Sequence, residues 1–171
     1  MTAISKGGRG TLPVLLILAA LSLLMVPALA HRQPEVIGTV VHEMEDGQPV
    51  TKVTWELHAH DALQFLETIP EVTDLTLDTE ENLIEAAAYV ASWVDYGEAE
   101  PVTLGAEVDG NFLFVYQYLP GHVEVKRAAI LSDIAPNWSN LVNVQEQGET
   151  VSSRTFTAEY PQGATLETVR N

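Results

Sequence analysis

Cysteine is absent from all 171 residues of the chain, which excludes disulfides, thiolate metal sites and cysteine nucleophiles. Basic residues are also scarce, with 8 Lys and Arg against 24 Asp and Glu and a formal net charge of −16. Between Val53 and Val125 there are 15 acidic residues and no Lys or Arg at all. Because nucleic acid and anionic membrane surfaces would repel such a chain, we expect neither as a partner.

Long apolar runs are missing after residue 30, where no stretch approaches the roughly 20 residues that a membrane-spanning helix needs. One earlier run, Leu12 to Val26, follows two basic residues and precedes the small-residue triplet Ala28-Leu29-Ala30. This order is typical of a secretory signal peptide. We therefore predict cleavage of residues 1–30 and no stable membrane insertion afterwards. Residues 31–171 would form a single domain, located in the periplasm or secreted.

Alternation of apolar and polar residues is the dominant pattern of the predicted domain. Glu45–Gln48 has turn chemistry and separates a β-branched run from the alternating run Val50 to His60, which predicts a hairpin. Asp109-Gly110 predicts a second hairpin in the same way. In the first hairpin we expect Trp55 to face the core. Another strand is predicted from Val123 to Ile130.

Two short helices are predicted, one from Ala62 to Thr68 and one that starts after Asp78 or Thr79 and runs through Val90. With roughly eight strands, these elements predict a mainly β domain. We favour an antiparallel β-sandwich of the immunoglobulin-like kind with two short helices. The alternative is an α+β open antiparallel sheet packed on the helices.

Three histidines and one aspartate make up the candidate metal site: His31, His58, His60 and Asp61. Cleavage after Ala30 would give His31 a free amine beside its imidazole, a chelate suited to copper(II). In the predicted hairpin, His31 would lie near the end of the second strand, where His58 and His60 project from one face. We therefore expect a copper or zinc site. Exposed histidines without a bound ion are the alternative.

Four aromatic residues share one face of the strand that follows Asp109-Gly110: Phe112, Phe114, Tyr116 and Tyr118. Such a stripe can bind a sugar or a peptide, but in β domains it more often packs in the core or against a helix, and packing is what we expect. No serine lies in a G-x-S-x-G nucleophile elbow, and no enzymatic activity is expected.

Three passages resemble domain-of-unknown-function family 6702, a family of small exported bacterial proteins. They are Leu57–Ala62, Leu104–Gly110 leading into Val115-Tyr116, and Ala129–Leu131 through Asn137 to Asn140–Val144. The resemblance implies a signal peptide, a histidine at or near the mature start and a mainly β domain, but no activity, because none is established for the family. Many relatives have a second histidine three residues after the first. This chain has Pro34 there, which weakens a metal site that needs both.

These features together predict an exported periplasmic domain without enzymatic activity that binds copper or zinc. The alternative is an envelope interaction or structural protein that has no small-molecule ligand. The expected partner is accordingly a metal ion or another envelope protein.

Overall fold

The computed structural model describes residues 35–70 and 72–166. Within these ranges the strands are β1 (Glu35–Glu45), β2 (Gln48–His58), β3 (Val94–Asp95), β4 (Val102–Asp109), β5 (Phe112–Pro120), β6 (Arg127–Ala128), β7 (Ser139–Glu146), β8 (Glu149–Phe156) and β9 (Ala164–Leu166), and the helices are α1 (Ala59–Leu66) and α2 (Glu80–Ser92). Both helices follow β2 and precede β3. Neither of them has the length and apolar character needed to cross a membrane.

Seven of the strands form one sheet in the order β4-β5-β2-β1-β7-β8-β9, and β3 pairs separately with β6. Neighbours are antiparallel except β1 and β7, which are parallel and therefore need a long crossover rather than a hairpin. The mainly β prediction with two short helices is confirmed. The structure has the alternative arrangement, an open sheet packed on helices, and not the sandwich that the sequence favoured. The helices and the segments around them cover the face that a second sheet would have covered in a sandwich.

The core lies on one face of this sheet. Val53, Trp55 and Leu57 are almost completely buried on alternate positions of β2, as the alternation predicts. Phe65 of α1 and Val90 of α2 belong to the same core, so both helices pack on this face. Burying such side chains contributes about 1.5–3 kcal/mol each to folding.

Both predicted hairpins are confirmed. In the first, Glu45 pairs with Gln48, and the two residues between them, Asp46 and Gly47, have φ angles of 49° and 77°. Positive φ at both central positions is the requirement of a type I′ turn, whose twist matches that of the flanking strands. In the second hairpin, Asp109 pairs with Phe112.

The first helix begins earlier than the sequence pattern indicates. The strand expected to reach His60 ends at His58, and α1 occupies Ala59–Leu66 instead of Ala62–Thr68. The strand was predicted too long because the apolar–polar alternation continues through His60. The helix forms instead because its buried residues Ala62, Phe65 and Leu66 have helical spacing. The Ala59 N–H donates to the Asn111 carbonyl at 2.9 Å, which fixes the point where the chain leaves the sheet.

The second helix begins where it was predicted. Thr79 is its N-cap, and the Thr79 side chain accepts a hydrogen bond from the Asn82 N–H at 3.3 Å. Glu80 and Glu81 occupy the first turn, where the helix dipole favours negative charge.

The strand expected from Val123 to Ile130 is reduced to the two residues of β6. At the start of this segment, the Val123 N–H donates to the side chain of Thr51, at 2.9 Å from Oγ1, and not to the backbone of a neighbouring strand.

The aromatic stripe lies on the sheet face opposite the core. Along β5, Leu113, Val115 and Leu119 are buried, whereas the four aromatic residues alternate with them and are half-buried. The expectation that the stripe packs in the core or against a helix is therefore wrong. Phe112 and Phe114 instead contact each other on the outer face, with ring centroids 6.4 Å apart.

Candidate functional site

The four residues predicted to bind a metal do not form a group in the described part of the chain. His31 lies outside the described residues. His58, the last residue of β2, contacts the Phe112 ring on the outer sheet face at a centroid distance of 4.4 Å. His60 is exposed on α1, whereas Asp61 is buried there. Because α1 begins at Ala59, the strand geometry that was to put His58 and His60 on one face does not exist.

Residues 35–70 and 72–166 contain no group of three or more histidines or carboxylates placed to hold a metal ion. The expected copper or zinc site also requires His31, so it stays a prediction. What still supports it is the predicted chelate of the amine and imidazole that His31 would have after cleavage.

A different candidate site lies at one edge of the sheet, between β4 and α2. β4 is the outermost strand of the sheet and pairs only with β5 among the described strands. Its side chains Val102 and Leu104 are 55% and 64% exposed, and Ile84 on the neighbouring α2 is 59% exposed. Large apolar side chains this exposed are typical of interaction surfaces when they lie together.

Leu104 and Ile84 line an apolar groove of about 600 Å³, which we call the edge groove. Its lining comes from α2 and β4 and consists of Glu80, Leu83, Ile84, Ala87, Ala88, Thr103, Leu104, Gly105 and Ala106. Ala87 and Ala88 leave the space open because their side chains are short. The α2 residues recur at helical spacing, so one helix face forms one wall and β4 forms the other.

A β-bulge shapes the strand wall of the edge groove. The pairing of β4 with β5 shifts between Thr103 and Gly105, which leaves Leu104 as an extra residue. Gly105 has a φ of 146°, and no atom lies within 4 Å of the position that a Cβ would take. Glycine is therefore required there by backbone conformation rather than by space.

The edge groove has one carboxylate in its lining and no positive charge on either wall. Glu80 lines it directly, and neither α2 nor β4 contains a lysine or arginine. At the far end of β4, Glu107 accepts a hydrogen bond from the Tyr116 hydroxyl at 2.7 Å. An extended ligand at this edge would thus meet apolar side chains and carboxylates together.

A second cavity, which we call the inner pocket, lies on the core side of the sheet near β7 and β8 and has a volume of about 310 Å³. Its apolar lining includes Val40, Val142 and Phe156, which belong to the core. The polar lining includes His42, Glu124, Glu146, Ser152, Ser153 and Arg154.

One hydroxyl group fixes the orientation of His42 at this pocket. Thr51 Oγ1 donates to the Gly121 carbonyl at 2.7 Å and accepts from the Val123 N–H at 2.9 Å. Its single hydrogen is thereby used, so the 3.0 Å contact with His42 Nδ1 must be a hydrogen bond that the imidazole donates. Neutral His42 consequently carries its proton on Nδ1, and Nε2 is left as an acceptor.

The His42 ring also stacks on His122, with centroids 4.7 Å apart. Burial is the largest influence on its pKa, and together with the nearby His122 it lowers the pKa below the usual 6.5. Glu124 and Glu146 act in the opposite direction without cancelling this shift. Burial and His122 therefore both favour the neutral form of His42.

Sequence reasoning missed both His42 and His122. The alternation of β1 does carry a signal for His42, because it falls two residues after the buried Val40 and faces the same side. Nothing in the sequence pairs it with His122, which is 80 positions away and reaches it only through the pairing of β2 with β5.

Compared with models of known protein families and with curated protein sequences, the chain has no significant match. The resemblance to family 6702 therefore stays a prediction.

Proposed function

We propose that this chain is an exported, non-enzymatic interaction protein that binds an extended segment of a partner protein in the edge groove. One observation carries the proposal: the outermost strand of the sheet has exposed apolar side chains and lies beside an apolar groove. The export part rests on the signal-peptide pattern of residues 1–30.

A free strand edge supports this mode of binding. Edge strands have unpaired N–H and C=O groups, and proteins usually protect them with lysine, proline, short length or a β-bulge. The bulge of β4 is confined to Leu104, and the pairing with β5 is regular from Gly105 to Asp109. β4 has eight residues, no lysine and no proline, and it exposes Val102 and Leu104. An added strand would bond to the free backbone edge and place alternate side chains in the groove beside α2.

Charge complementarity supports a partner segment that alternates apolar and basic residues. The stretch from Val53 to Val125 includes both walls of the groove. It has acidic residues but no lysine or arginine. Lysine or arginine in the ligand would pair with carboxylates such as Glu80, and its apolar residues would contact Leu104 and Ile84.

The same charges disfavour a second copy of this chain as the occupant. If two β4 strands paired at their free edges, one short ladder would contain four carboxylates, Glu107 and Asp109 of each copy, and no lysine or arginine. Like charges on neighbouring strands are destabilising.

The test is a binding titration with labelled eight-residue peptides. Alternating valine and lysine should bind, whereas alternating valine and glutamate should not. A third peptide keeps the lysines but carries N-methylated backbone amides, and it should bind poorly because it cannot pair with β4.

Two variants and one control locate the site. Leu104→Lys and Ile84→Lys should each weaken binding about tenfold or more, since each removes a buried apolar contact and adds a like charge. Met44→Lys makes the same change at a residue that is 65% exposed far along the β1–β2 hairpin, and it should leave binding unchanged. Equal weakening by all three variants would mean that the peptide responds only to net charge, and the proposal would fail.

A further inference from the structure

The inner pocket combines an apolar floor with a rim that carries both signs of charge. Val40, Val142 and Phe156 are buried in its floor, and Arg154 and Glu146 belong to its rim. The volume of about 310 Å³ is at the lower end of the range of small-molecule sites, and the lining has their usual composition of apolar walls with few polar groups.

The stem of Arg154 packs against Gly163 at this rim, and its guanidinium is near enough to Glu124 to help lower the pKa of that carboxyl without forming an ion pair with it. A Cβ at Gly163 would be 2.3 Å from Arg154 Cδ and 2.9 Å from Phe156 Cε1, so only glycine permits the observed packing of the arginine stem. Within residues 35–70 and 72–166 the guanidinium makes no ion pair and no side-chain hydrogen bond. Because Glu124 is paired with Lys126 and Arg154 is in no ion pair, the guanidinium is available to a ligand carboxylate.

Acceptors are placed elsewhere on the same rim. His42 presents Nε2 as an acceptor because its Nδ1–H is used by Thr51. Glu146 is exposed at the rim, and Glu124 is already paired with Lys126 at 2.9 Å. Glu146 and His42 can therefore accept hydrogen bonds from a ligand ammonium group.

We propose that the inner pocket binds a small apolar α-amino acid. Its carboxylate would pair with Arg154, and its ammonium group would donate hydrogen bonds to Glu146 and to His42 Nε2. Its side chain would contact Val40, Val142 and Phe156. A ligand with only one of these charges would leave either the guanidinium or the carboxylate of the rim unpaired. This inference is independent of the edge groove, which lies at the opposite edge of the sheet.

Calorimetric titration of the secreted chain with four compounds tests the ligand class. Leucine and phenylalanine should bind. 4-Methylpentanoate lacks the ammonium group and 3-methylbutylamine lacks the carboxylate, and each should bind about tenfold more weakly than leucine or worse. The proposal is overturned if neither amino acid binds, or if the acid or the amine binds as tightly as leucine.

Substitution of the arginine tests the placement. Arg154→Gln should weaken leucine binding about tenfold or more, because it removes the group that pairs with the leucine carboxylate. The weak binding of 3-methylbutylamine should be unchanged, because that amine has no carboxylate and does not pair with Arg154. Arg127→Gln removes an exposed arginine on β6 and should not change either titration. Unchanged leucine affinity in Arg154→Gln would contradict the proposal. If that variant does not fold, the four-compound series on the unaltered chain decides.

Discussion

Gly38 of β1 lies directly against the indole ring of Trp55, its partner on β2. A Cβ atom at position 38 would be 2.6 Å from Trp55 Cζ3, closer than any relaxed contact allows. The indole fills the space that a side chain would take, and its Nε1–H donates to Gln117 Oε1 at 2.8 Å. The glycine therefore determines how the largest core side chain packs across the central strands.

Gly38→Ala should destabilise the domain by about 1–3 kcal/mol, the usual cost of forcing an extra carbon into a packed core. Strand propensity alone would predict the opposite sign, because alanine loses less backbone entropy than glycine. Urea unfolding followed by tryptophan fluorescence measures the change. Thr39→Ala on the outer face is the matched control and should have a small effect. A Gly38→Ala variant as stable as the parent would show that the indole has room to move.

Asn140 should matter as much as an apolar core residue. Its side chain accepts from the Ile130 N–H at 3.0 Å and donates to the Ile130 carbonyl at 3.2 Å, and all of these atoms are buried. Asn140→Ala leaves both backbone groups without a partner, so we expect a loss of about 2–5 kcal/mol. Asn143→Ala, on the half-buried outer face, should lose about 1 kcal/mol or less. Similar losses in the two variants would contradict this role for Asn140.

The fold was largely predictable because its main signals are local. Alternation and turn chemistry located the β1–β2 and β4–β5 hairpins, and the Thr79 cap located the start of α2. The strand order was not predictable, since the parallel pairing of β1 with β7 joins residues about 100 positions apart and no local pattern encodes it. At His58, a local pattern was actively misleading, because alternation and helical spacing overlap there.

The candidate sites were less predictable for the same reason. The edge groove depends on which strand is outermost, and the inner pocket brings together His42, Glu124 and Arg154 from separate parts of the chain. The aromatic stripe was visible in the sequence, but which face of β5 is buried is decided by the pairing with β2.

His42 should make stability depend on pH. Its pKa is lowered by burial first and by His122 next, against the opposing carboxylates of Glu124 and Glu146. The native state thus favours neutral His42, and this contribution is present above the unfolded pKa of about 6.5 and lost as pH falls through the lower folded value. Comparison with His42→Asn, which keeps a donor for Thr51, should show the parent losing stability relative to the variant as the pH falls from about 7.5 to below about 6.5. A difference that stays constant across this range would contradict the inference. His60→Asn controls for the loss of a histidine at an exposed site.

Export makes a direct prediction about the mature chain. N-terminal sequencing of secreted material should begin with His31-Arg32-Gln33, because the small-residue triplet ends at Ala30. A start further into the chain would remove the terminal amine and imidazole of His31, and with them the remaining basis for a copper site. A blocked or uncleaved N-terminus would contradict the signal-peptide prediction.

Amide hydrogen exchange during peptide binding tests the edge groove most directly. With the alternating valine–lysine peptide bound, amides of β4 (Val102–Asp109) should exchange more slowly, because its free edge becomes hydrogen-bonded. Amides of β8 should be unaffected, since that strand lies at the other end of the sheet. Protection confined to β4 and its flanks is the outcome expected for a peptide bound at the edge groove. Binding that leaves β4 exchange unchanged, or that protects the whole sheet equally, would contradict it.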